Sequence, residues 1–189
     1  MIKLIVGLGN PGSQYEKNRH NVGFLFLDRL VSGSGCGWVR ESRFDGLLAE
    51  IGVGGGRVLL LKPVTFMNRS GQSVGKVARY YKLAPEEILV VHDELDFGVG
   101  VVRLKKDGGH AGHNGLKDII AHLGSKEFYR LRIGIGRPLS GKIIADFVLS
   151  NPSKIEWDSL LLAFDLVGGY VGQMIAGDLP AVMNKLNSG

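Results

Sequence analysis

Residues 3–12 read KLIVGLGNPG, a short apolar run followed directly by four turn-forming residues. The composition of Lys3–Leu8 is that of a buried β-strand, and the GNPG segment is typical of a tight turn. We therefore predict that the chain begins with a strand whose carboxyl end presents Asn10. The run is too short to span a membrane, and because no small-residue cleavage site follows it, it does not indicate a signal peptide.

The remaining sequence alternates between strand-type and helix-type segments, with no linker and no internal repeat. This alternation predicts one α/β domain over residues 1–189, built on a twisted, mixed and largely parallel sheet that helices flank. Residues 32–46 are predicted to be a loop, and the glycines at 54–56 to be the turn of a hairpin. The predicted strands are 47–53, 57–62, 88–92, 99–105 and 130–136, and the predicted helices are 22–31, 70–81 (capped by Ser70), 114–123, 155–175 and 180–186.

Composition and charge narrow the class of protein. The 189 residues carry a net charge of +5 and include 29 glycines, about twice the usual share. A basic protein of this size often binds a polyanion, although the same charge also serves solubility. Cys36 is the single cysteine, so an internal disulfide is excluded. No apolar run reaches the roughly 18 residues of a membrane helix, and glycines beside Asn, His and Asp suggest backbone held close to a ligand.

Polar residues follow three of the predicted strands at their carboxyl ends. Asn10 follows the first strand, Asn68 follows the second strand of the hairpin by a few residues, and Asp93 ends the strand that begins at residue 88. Ligands of open α/β sheets bind outside the carboxyl ends of the strands. An asparagine alone is more often a turn former or a cap, but three such strand ends favour one shared crevice.

His20 is the candidate general base, because it lies in a polar stretch just before the first helix and can fold back over the crevice. A general base needs an acceptor on its second ring nitrogen, and Asp93 is a carboxylate placed by a rigid strand. Glu94 and Asp96 follow on a loop and are interpreted as solvated or structural. The alternative for His20 is a polar residue beside a helix, with no chemistry.

A glycine-rich segment, residues 107–115, precedes a predicted helix and can offer backbone N–H groups to an anion or an oxyanion. Its histidines, His110 and His113, could suggest a metal site, but no cluster of Cys or carboxylates completes a ligand set, so no metal is expected. Alternation in residues 130–136 puts Arg130 and Arg132 on one face, where they can bind phosphate or simply be solvated.

Two other enzyme classes fit the sequence poorly. Residues 7–12 match G-x-G-x-x-G after a strand, but residues 13–19 show no apolar helical stripe, and no strand ends in an acidic residue about 20 positions later. A serine hydrolase would need a G-x-S-x-G elbow on a strand-to-helix turn, whereas the match at residues 71–75 (GQSVG) lies inside the predicted helix 70–81, and Cys36 has no marked base beside it. The hypotheses that remain are a metal-independent hydrolase, an RNA-binding module without catalysis, and a nucleotide-dependent oxidoreductase that rests on the glycines alone.

Five motifs together resemble those of bacterial-type peptidyl-tRNA hydrolases, and they occur in order over most of residues 1–150. The matching residues are Asn10-Pro11-Gly12 with Tyr15, Arg19-His20-Asn21 and Gly23, then Thr65–Gly71 (TFMNRSG), His92–Asp96 (HDELD), Gly109–Lys117 (GHAGHNGLK) and Arg130–Pro138 (RLRIGIGRP).

The resemblance implies hydrolysis of the ester that joins a peptide to the 3′ end of tRNA, which releases the tRNA for reuse. It implies three catalytic residues: His20 activates water, Asp93 orients and polarises it, and Asn10 helps to hold the attacked carbonyl. Asn68 and Asn114 would share in holding the peptide.

The resemblance also implies the rest of the site and its partners. Peptidyl-tRNA is the expected partner, with no cofactor, no metal, no membrane and no obligate protein partner, in a monomeric cytoplasmic enzyme. The remaining implied substrate-binding residues are Tyr15, Met67, Gly112 and His113, and the implied tRNA-binding residues are Lys105, Arg132 and Lys142.

Overall fold

A single seven-stranded sheet organises the computed structural model, which describes residues 1–138 and 143–189. Its central strand is the first one in the chain, as expected for a fully apolar run buried on both faces. The strands are Leu4–Gly7 (β1), Val39–Glu41 (β2), Gly46–Val53 (β3), Gly56–Pro63 (β4), Ile88–Glu94 (β5), Val102–Lys106 (β6) and Tyr129–Gly134 (β7).

The strand order is β2-β3-β4-β1-β5-β7-β6. The four central strands β4, β1, β5 and β7 run parallel, whereas β2, β3 and β6 pair antiparallel with their neighbours. The predicted mixed and largely parallel α/β sheet is therefore confirmed. Because the parallel strands end at one edge, the residues that follow β1, β4 and β5 are brought together there.

Helices cover both faces of the sheet and produce two apolar clusters. Side chains of β1 alternate between these clusters, with Ile5 on one side and Leu4 and Val6 on the other. Five helices contribute to the first cluster (α1, α4, α5, α6 and α7 below) and two to the second (α2 and α3). The helices are Val22–Ser34 (α1), Ser70–Tyr80 (α2), Asn114–Leu123 (α3), Ile144–Val148 (α4), Lys154–Gly168 (α5), Val171–Ala176 (α6) and Leu179–Asn187 (α7).

The end of β1 and the start of α1 meet backbone to backbone. A Cβ atom added to Gly7 would lie 2.4 Å from the carbonyl oxygen of Gly23, and one added to Gly23 would lie 2.4 Å from the nitrogen of Leu8. These glycines permit close strand–helix packing. The close packing sets the turn before α1 directly beside the carboxyl end of β1.

Three local predictions were wrong. Ser70 does not cap α2: a 3-10 turn over Met67–Arg69 leads straight into the helix, so Ser70 is already helical and its hydroxyl donates to the carbonyl of Met67 at 2.7 Å. Residues 32–46 are not all loop, because they contain the end of α1 and the edge strand β2. The predicted helix over 155–175 breaks between Gly168 and Val171, where Gly169 and Tyr170 form a turn.

The 23-residue segment Lys154–Ala176 is long and apolar enough to cross a membrane by length and composition, which the sequence reading did not anticipate. In the structure this segment is α5 and α6, and its apolar face packs into the core through Leu160, Phe164 and Val167. A core helix passes the same test of composition, so the segment is weak evidence for a membrane span.

Candidate active site

A cavity of about 920 Å³ opens at the carboxyl edge of the parallel strands. Tyr15 is not among the residues that line it, and Lys142 lies outside the described residues. All the other residues to which the sequence assigned a role line this one cavity: Asn10, His20, Met67, Asn68, Asp93, Lys105, Gly112, His113, Asn114 and Arg132.

His20 and Asp93 form a hydrogen-bonded pair at the floor of the cavity. His20 lies in the 3-10 turn that precedes α1, and its Nδ1 is 2.9 Å from each carboxylate oxygen of Asp93, near the end of β5. Because an ionised carboxylate only accepts, Nδ1 carries the proton and donates it. The neutral imidazole therefore keeps its free electron pair on Nε2, which has no partner among residues 1–138 and 143–189.

His113 binds the same carboxylate from the other segment that reaches the site. Its Nε2 lies 2.9 Å from Oδ1 of Asp93, and its Nδ1 accepts from the backbone N–H of Leu116 at 3.4 Å, so that His113 is the N-cap of α3. The proton therefore lies on Nε2, and both ring nitrogens are engaged. Of the two imidazoles on Asp93, only that of His20 can take a proton without first losing a hydrogen bond.

The electrostatics of the pair follow from burial and from the two imidazoles. Burial lowers the pKa of His20, but the charge and hydrogen bond of Asp93 outweigh burial and raise the pKa above its ordinary value of 6.5. Burial also opposes ionisation of Asp93, yet His20 and His113 together hold the pKa of that carboxyl well below its usual range. Asp93 is therefore an anion at neutral pH.

A third imidazole lies beneath the pair. His92 is 4% exposed, its Nδ1 donates to the carbonyl oxygen of Asp93 at 2.7 Å, and its ring centroid is 5.1 Å from that of His113. Burial, followed by the nearby His113, lowers the pKa of His92 to about 3. His92 is thus a neutral packing group that fixes the end of β5, a role that its place in the HDELD motif did not reveal.

Hydrogen bonds settle the orientation of the Asn10 side chain. Its Oδ1 accepts from the backbone N–H of Met67 at 2.8 Å, while its backbone N–H and carbonyl both pair with the side chain of Asn21, each at 2.9 Å. With Oδ1 occupied, the Nδ2 group of Asn10 is left to donate to a ligand. Asn68 and Asn114 are exposed and line the same cavity.

A cationic face borders the cavity on β6 and β7, where Lys105 pairs in register with Arg130 and Arg103 with Arg132. Lys105 is exposed. Nε of Arg132 lies 3.1 Å from a carboxylate oxygen of Glu94, and because of this ion pair Glu94 is structural rather than solvated. Alternation does place Arg130 on this face, but Arg130 is buried and donates to backbone carbonyls, which the sequence pattern could not show.

Within the part of the chain that the structure describes, one group of side chains could hold a metal ion: the ligand atoms of His20, Asp93 and His113 all lie within 4.8 Å of one another. The sequence had raised His110 with His113 instead. In the hydrogen-bonded arrangement, the ring nitrogens that face Asp93 carry protons, so a metal would have to displace both protons and the bond from Leu116 to His113. Independence of metal remains a prediction.

A cavity wall that the sequence reading missed is formed by α4 and the residue after it. Ile144, Val148 and Leu149 line the cavity there. Arg19, next to His20, reaches this region: its guanidinium donates to Oγ of Ser150 at 2.7 Å and to Glu156 at 2.7 Å. The only local signal was a charged residue inside the RHN motif, beside the proposed base.

The comparisons with known proteins agree with this geometry. A family model described as peptidyl-tRNA hydrolase matches residues 4–189. A peptidyl-tRNA hydrolase of Methylococcus capsulatus is 54% identical over 99% of this chain and 100% of its own length, and one of Bordetella parapertussis is 52% identical over 98% and 88%. A crystal structure of the peptidyl-tRNA hydrolase of Acinetobacter baumannii superposes with a TM-score of 0.94 at 45% identity, covering 98% of this chain and 94% of that one. The chain therefore belongs to the peptidyl-tRNA hydrolase family.

Proposed function

We propose that this protein hydrolyses peptidyl-tRNA by general-base catalysis, with His20 as the base, Asp93 as its orienting partner and Asn10 as a donor to the oxyanion. The observation that carries the proposal is the pair of hydrogen bonds from His20 Nδ1 to Asp93, since they leave Nε2 as a free acceptor in the cavity. Membership of the family supplies the substrate class, and the geometry of the site supports the proposed roles.

The reaction then runs in two proton transfers. Water on Nε2 of His20 attacks the carbonyl carbon of the ester as the imidazole takes its proton, and the buried anion Asp93 stabilises the imidazolium that results. Nδ2 of Asn10 donates to the oxyanion of the tetrahedral intermediate. When the intermediate collapses, the C–O bond to the tRNA breaks and the imidazolium returns the proton to the departing 3′ oxygen, giving free tRNA and a peptide carboxylic acid, which then releases its proton to solvent.

The remaining cavity residues hold the substrate in this proposal. Asn68 and Asn114 pair with peptide amides, because each side chain offers an acceptor and two donors. Met67, Gly112 and His113 line the cavity beside them. Lys105 and Arg132 bind tRNA phosphate, while Tyr15 and Lys142 have no place in the proposal.

The rate enhancement expected from a general base and an oxyanion donor is consistent with hydrolysis of an activated ester. General-base catalysis contributes roughly 10²–10⁴ and one oxyanion donor about 10²–10³. Together they correspond to about 5–10 kcal/mol of barrier. A rate enhancement of this size requires neither a metal nor a covalent nucleophile. The role in tRNA reuse, the cytoplasmic location and the absence of membrane and protein partners remain predictions.

The test is release of peptide from a peptidyl-tRNA in the presence of EDTA, with the wild-type protein, His20→Ala and His122→Ala. His122 lies on the last turn of α3, outside the cavity, and is the matched histidine control. We expect full activity for the wild type and the control, and loss of at least about 10²-fold for His20→Ala.

Near-normal turnover by a folded His20→Ala protein would remove His20 from the mechanism. Loss of wild-type activity in EDTA that zinc restores would show that the His20–Asp93–His113 group holds a metal. Salt-dependent tRNA binding without any hydrolysis would favour a non-catalytic RNA-binding protein.

A further inference from the structure

The loop between β6 and α3, residues 107–113, has a backbone that needs outside support. Asp107, Gly108, Ala111 and Gly112 all have positive φ, at 65°, 121°, 47° and 81°. Such conformations are unfavourable for Asp and Ala and persist only where surrounding contacts determine them. This glycine-rich loop carries His113 to Asp93 and presents Asn114 to the cavity, so its shape sets the position of two groups at the site.

Arg130 supplies that support from the sheet. It lies on β7, between β5 and β6, and its side chain crosses beneath the glycine-rich loop. One terminal nitrogen donates to the carbonyl of Gly108 and the other to the carbonyl of Gly109. The guanidinium also lies 4.7 Å from the centre of the Phe128 ring. A planar fork of two parallel donors on two successive carbonyls is a geometry that arginine can provide and lysine cannot.

Arg130 is also unavailable for phosphate binding, the role that its place beside Arg132 suggests. The residue is 3% exposed, both terminal nitrogens are occupied by the loop, and Nε is buried without a partner among the described residues. A phosphate could reach it only by displacing the loop. Both arginines of β7 line the cavity, but Arg132 is partly exposed there whereas Arg130 is covered by the loop.

We propose that Arg130 is a positioning residue for the hydrolysis proposed above: its guanidinium fixes the glycine-rich loop so that His113 meets Asp93 and Asn114 faces the substrate. Arg130 touches neither substrate nor the reacting atoms. It acts through the carbonyls of Gly108 and Gly109, and through them on the start of α3. The proposal rests on the proposed function of the site, but its structural half, the position of His113, can be measured without any turnover.

The experiment compares Arg130→Ala, Arg130→Lys and a control, Lys126→Ala, which removes an exposed cation between α3 and β7. Activity is measured on full-length peptidyl-tRNA and on a short 3′-end mimic, with and without millimolar guanidinium chloride, far below denaturing concentrations. The NMR signals of the His113 imidazole and the thermal unfolding midpoint are recorded for the same proteins.

We expect Arg130→Ala to lower kcat by roughly 10- to 100-fold on both substrates, because a misplacement of about 1 Å has a cost of that size. The His113 signals should move in that variant. Free guanidinium should bind in the space left by the side chain and restore both kcat and the His113 signals, with no effect on the control. Arg130→Lys should remain impaired, since an ammonium group cannot bond both carbonyls in parallel.

Three results would overturn the proposal. One is a loss confined to full-length tRNA with a smaller salt dependence, which would make Arg130 a phosphate contact. Another is unchanged His113 signals with unchanged kcat. The third is a loss of kcat that follows a lower unfolding temperature and is not restored by guanidinium. If the wild type itself fails to hydrolyse peptidyl-tRNA while the His113 signals respond as expected, the proposed function fails and the positioning role of Arg130 stands.

Discussion

Residues 18–21 and the glycine-rich loop each bring a histidine to Asp93, and each is held by a buried arginine, but the two arginines bind different kinds of partner. Arg19 belongs to the segment that it holds and reaches outward to Ser150 and to the carboxylate of Glu156. Arg130 belongs to the sheet and reaches up to two backbone carbonyls of the loop.

The difference shows that the two sides of the site are coupled to different parts of the molecule. The His20 side is tied to the segment after α4, which forms a wall of the cavity, through a contact that includes a titratable carboxylate. The His113 side is tied to strand β7 of the sheet through groups that do not titrate near neutral pH. Substitutions can therefore disturb one histidine while the other keeps its place.

Asp93→Asn disturbs the hydrogen bonds of both histidines, and we expect the largest effect from it. An asparagine is uncharged and its amide nitrogen only donates, so it would place a donor against the Nδ1–H of His20 where a carboxylate oxygen now accepts, and kcat should fall by about 10²–10⁴ with little change in KM. Since Asp93 is what raises the pKa of His20, the acid limb of kcat/KM should lie above pH 6.5 in the wild type and move to lower pH in the variant.

The pH profiles of kcat and kcat/KM measure this prediction. Asp96→Asn is the control, because Asp96 pairs with Arg137 at the surface and does not line the cavity. A rise in KM alone, with kcat and the acid limb unchanged, would make Asp93 a binding residue.

Substitution of His113 should disturb the glycine-rich loop side of the site while His20 keeps its place. His113→Asn removes one donor from Asp93 but keeps a good N-cap for α3, whereas His113→Ala removes both. We expect kcat to fall by about tenfold in each, the equivalent of about 1.4 kcal/mol for a charge-assisted hydrogen bond. Only His113→Ala should also lose about 1 kcal/mol of unfolding free energy.

Turnover and urea unfolding of the two variants measure this. A loss as complete as that of His20→Ala would show that His113, and not His20 alone, takes part in the proton transfer.

Substitutions on the cationic face should act on tRNA rather than on the ester. Lys105→Ala and Arg132→Ala should reduce kcat/KM several-fold more on full-length peptidyl-tRNA than on a short 3′-end mimic, and each should flatten the salt dependence of binding by about one unit of slope. A salt series with both substrates measures this. Equal losses on both substrates would place the effect at the active site or in the fold.

The smallest effect is expected at the outward contact of Arg19. Burial raises the pKa of Glu156, but hydrogen bonds from Ser153 and Arg19 outweigh burial, so the folded-state pKa is lowered from 4.5. Glu156→Gln should therefore cost about 1–2 kcal/mol of unfolding free energy above pH 4.5, and the difference from the wild type should shrink as the pH falls through the lowered pKa.

Unfolding at several pH values measures this difference. The control is Asp165→Asn, which breaks the exposed pair with Arg29 and should have little effect at any pH. A difference that is constant with pH would mean that Glu156 acts through the helix cap at Ser153 rather than through its charge.

The parts of the site that could be predicted are those determined by local sequence. Asn10 and Asp93 stand at the ends of strands whose composition is unmistakable, and the parallel order of those strands brings the two residues together. His20 was assigned from a polar stretch beside a helix, and the structure places it 2.9 Å from Asp93. The glycines at 168 and 169 were also a local signal for the helix break, and one that the apolar pattern around them concealed.

The parts that could not be predicted depend on contacts between distant segments. Which end of the Asn10 amide faces the cavity is decided by the backbone of Met67, 57 residues away in sequence. Alternation correctly gives Arg130 and Arg132 one face, but which of them is covered depends on where the glycine-rich loop lies. In the same way, Ser70 is helical and not a cap because a 3-10 turn precedes α2, and residue propensities do not predict that turn.

The contact between Gly7 and Gly23 has a consequence for how mutational scans of this protein will read. A Cβ on either residue would meet backbone at 2.4 Å, and one on Gly23 would also lie 2.5 Å from the carbonyl oxygen of Val91. Every replacement at these two positions should score as severely as a replacement of His20, although neither glycine carries a functional group. The severity of the loss of activity alone will therefore mislabel them as active-site residues. A scan that also records protein abundance will distinguish them, because the glycine variants should disappear from the cell whereas His20→Ala should accumulate.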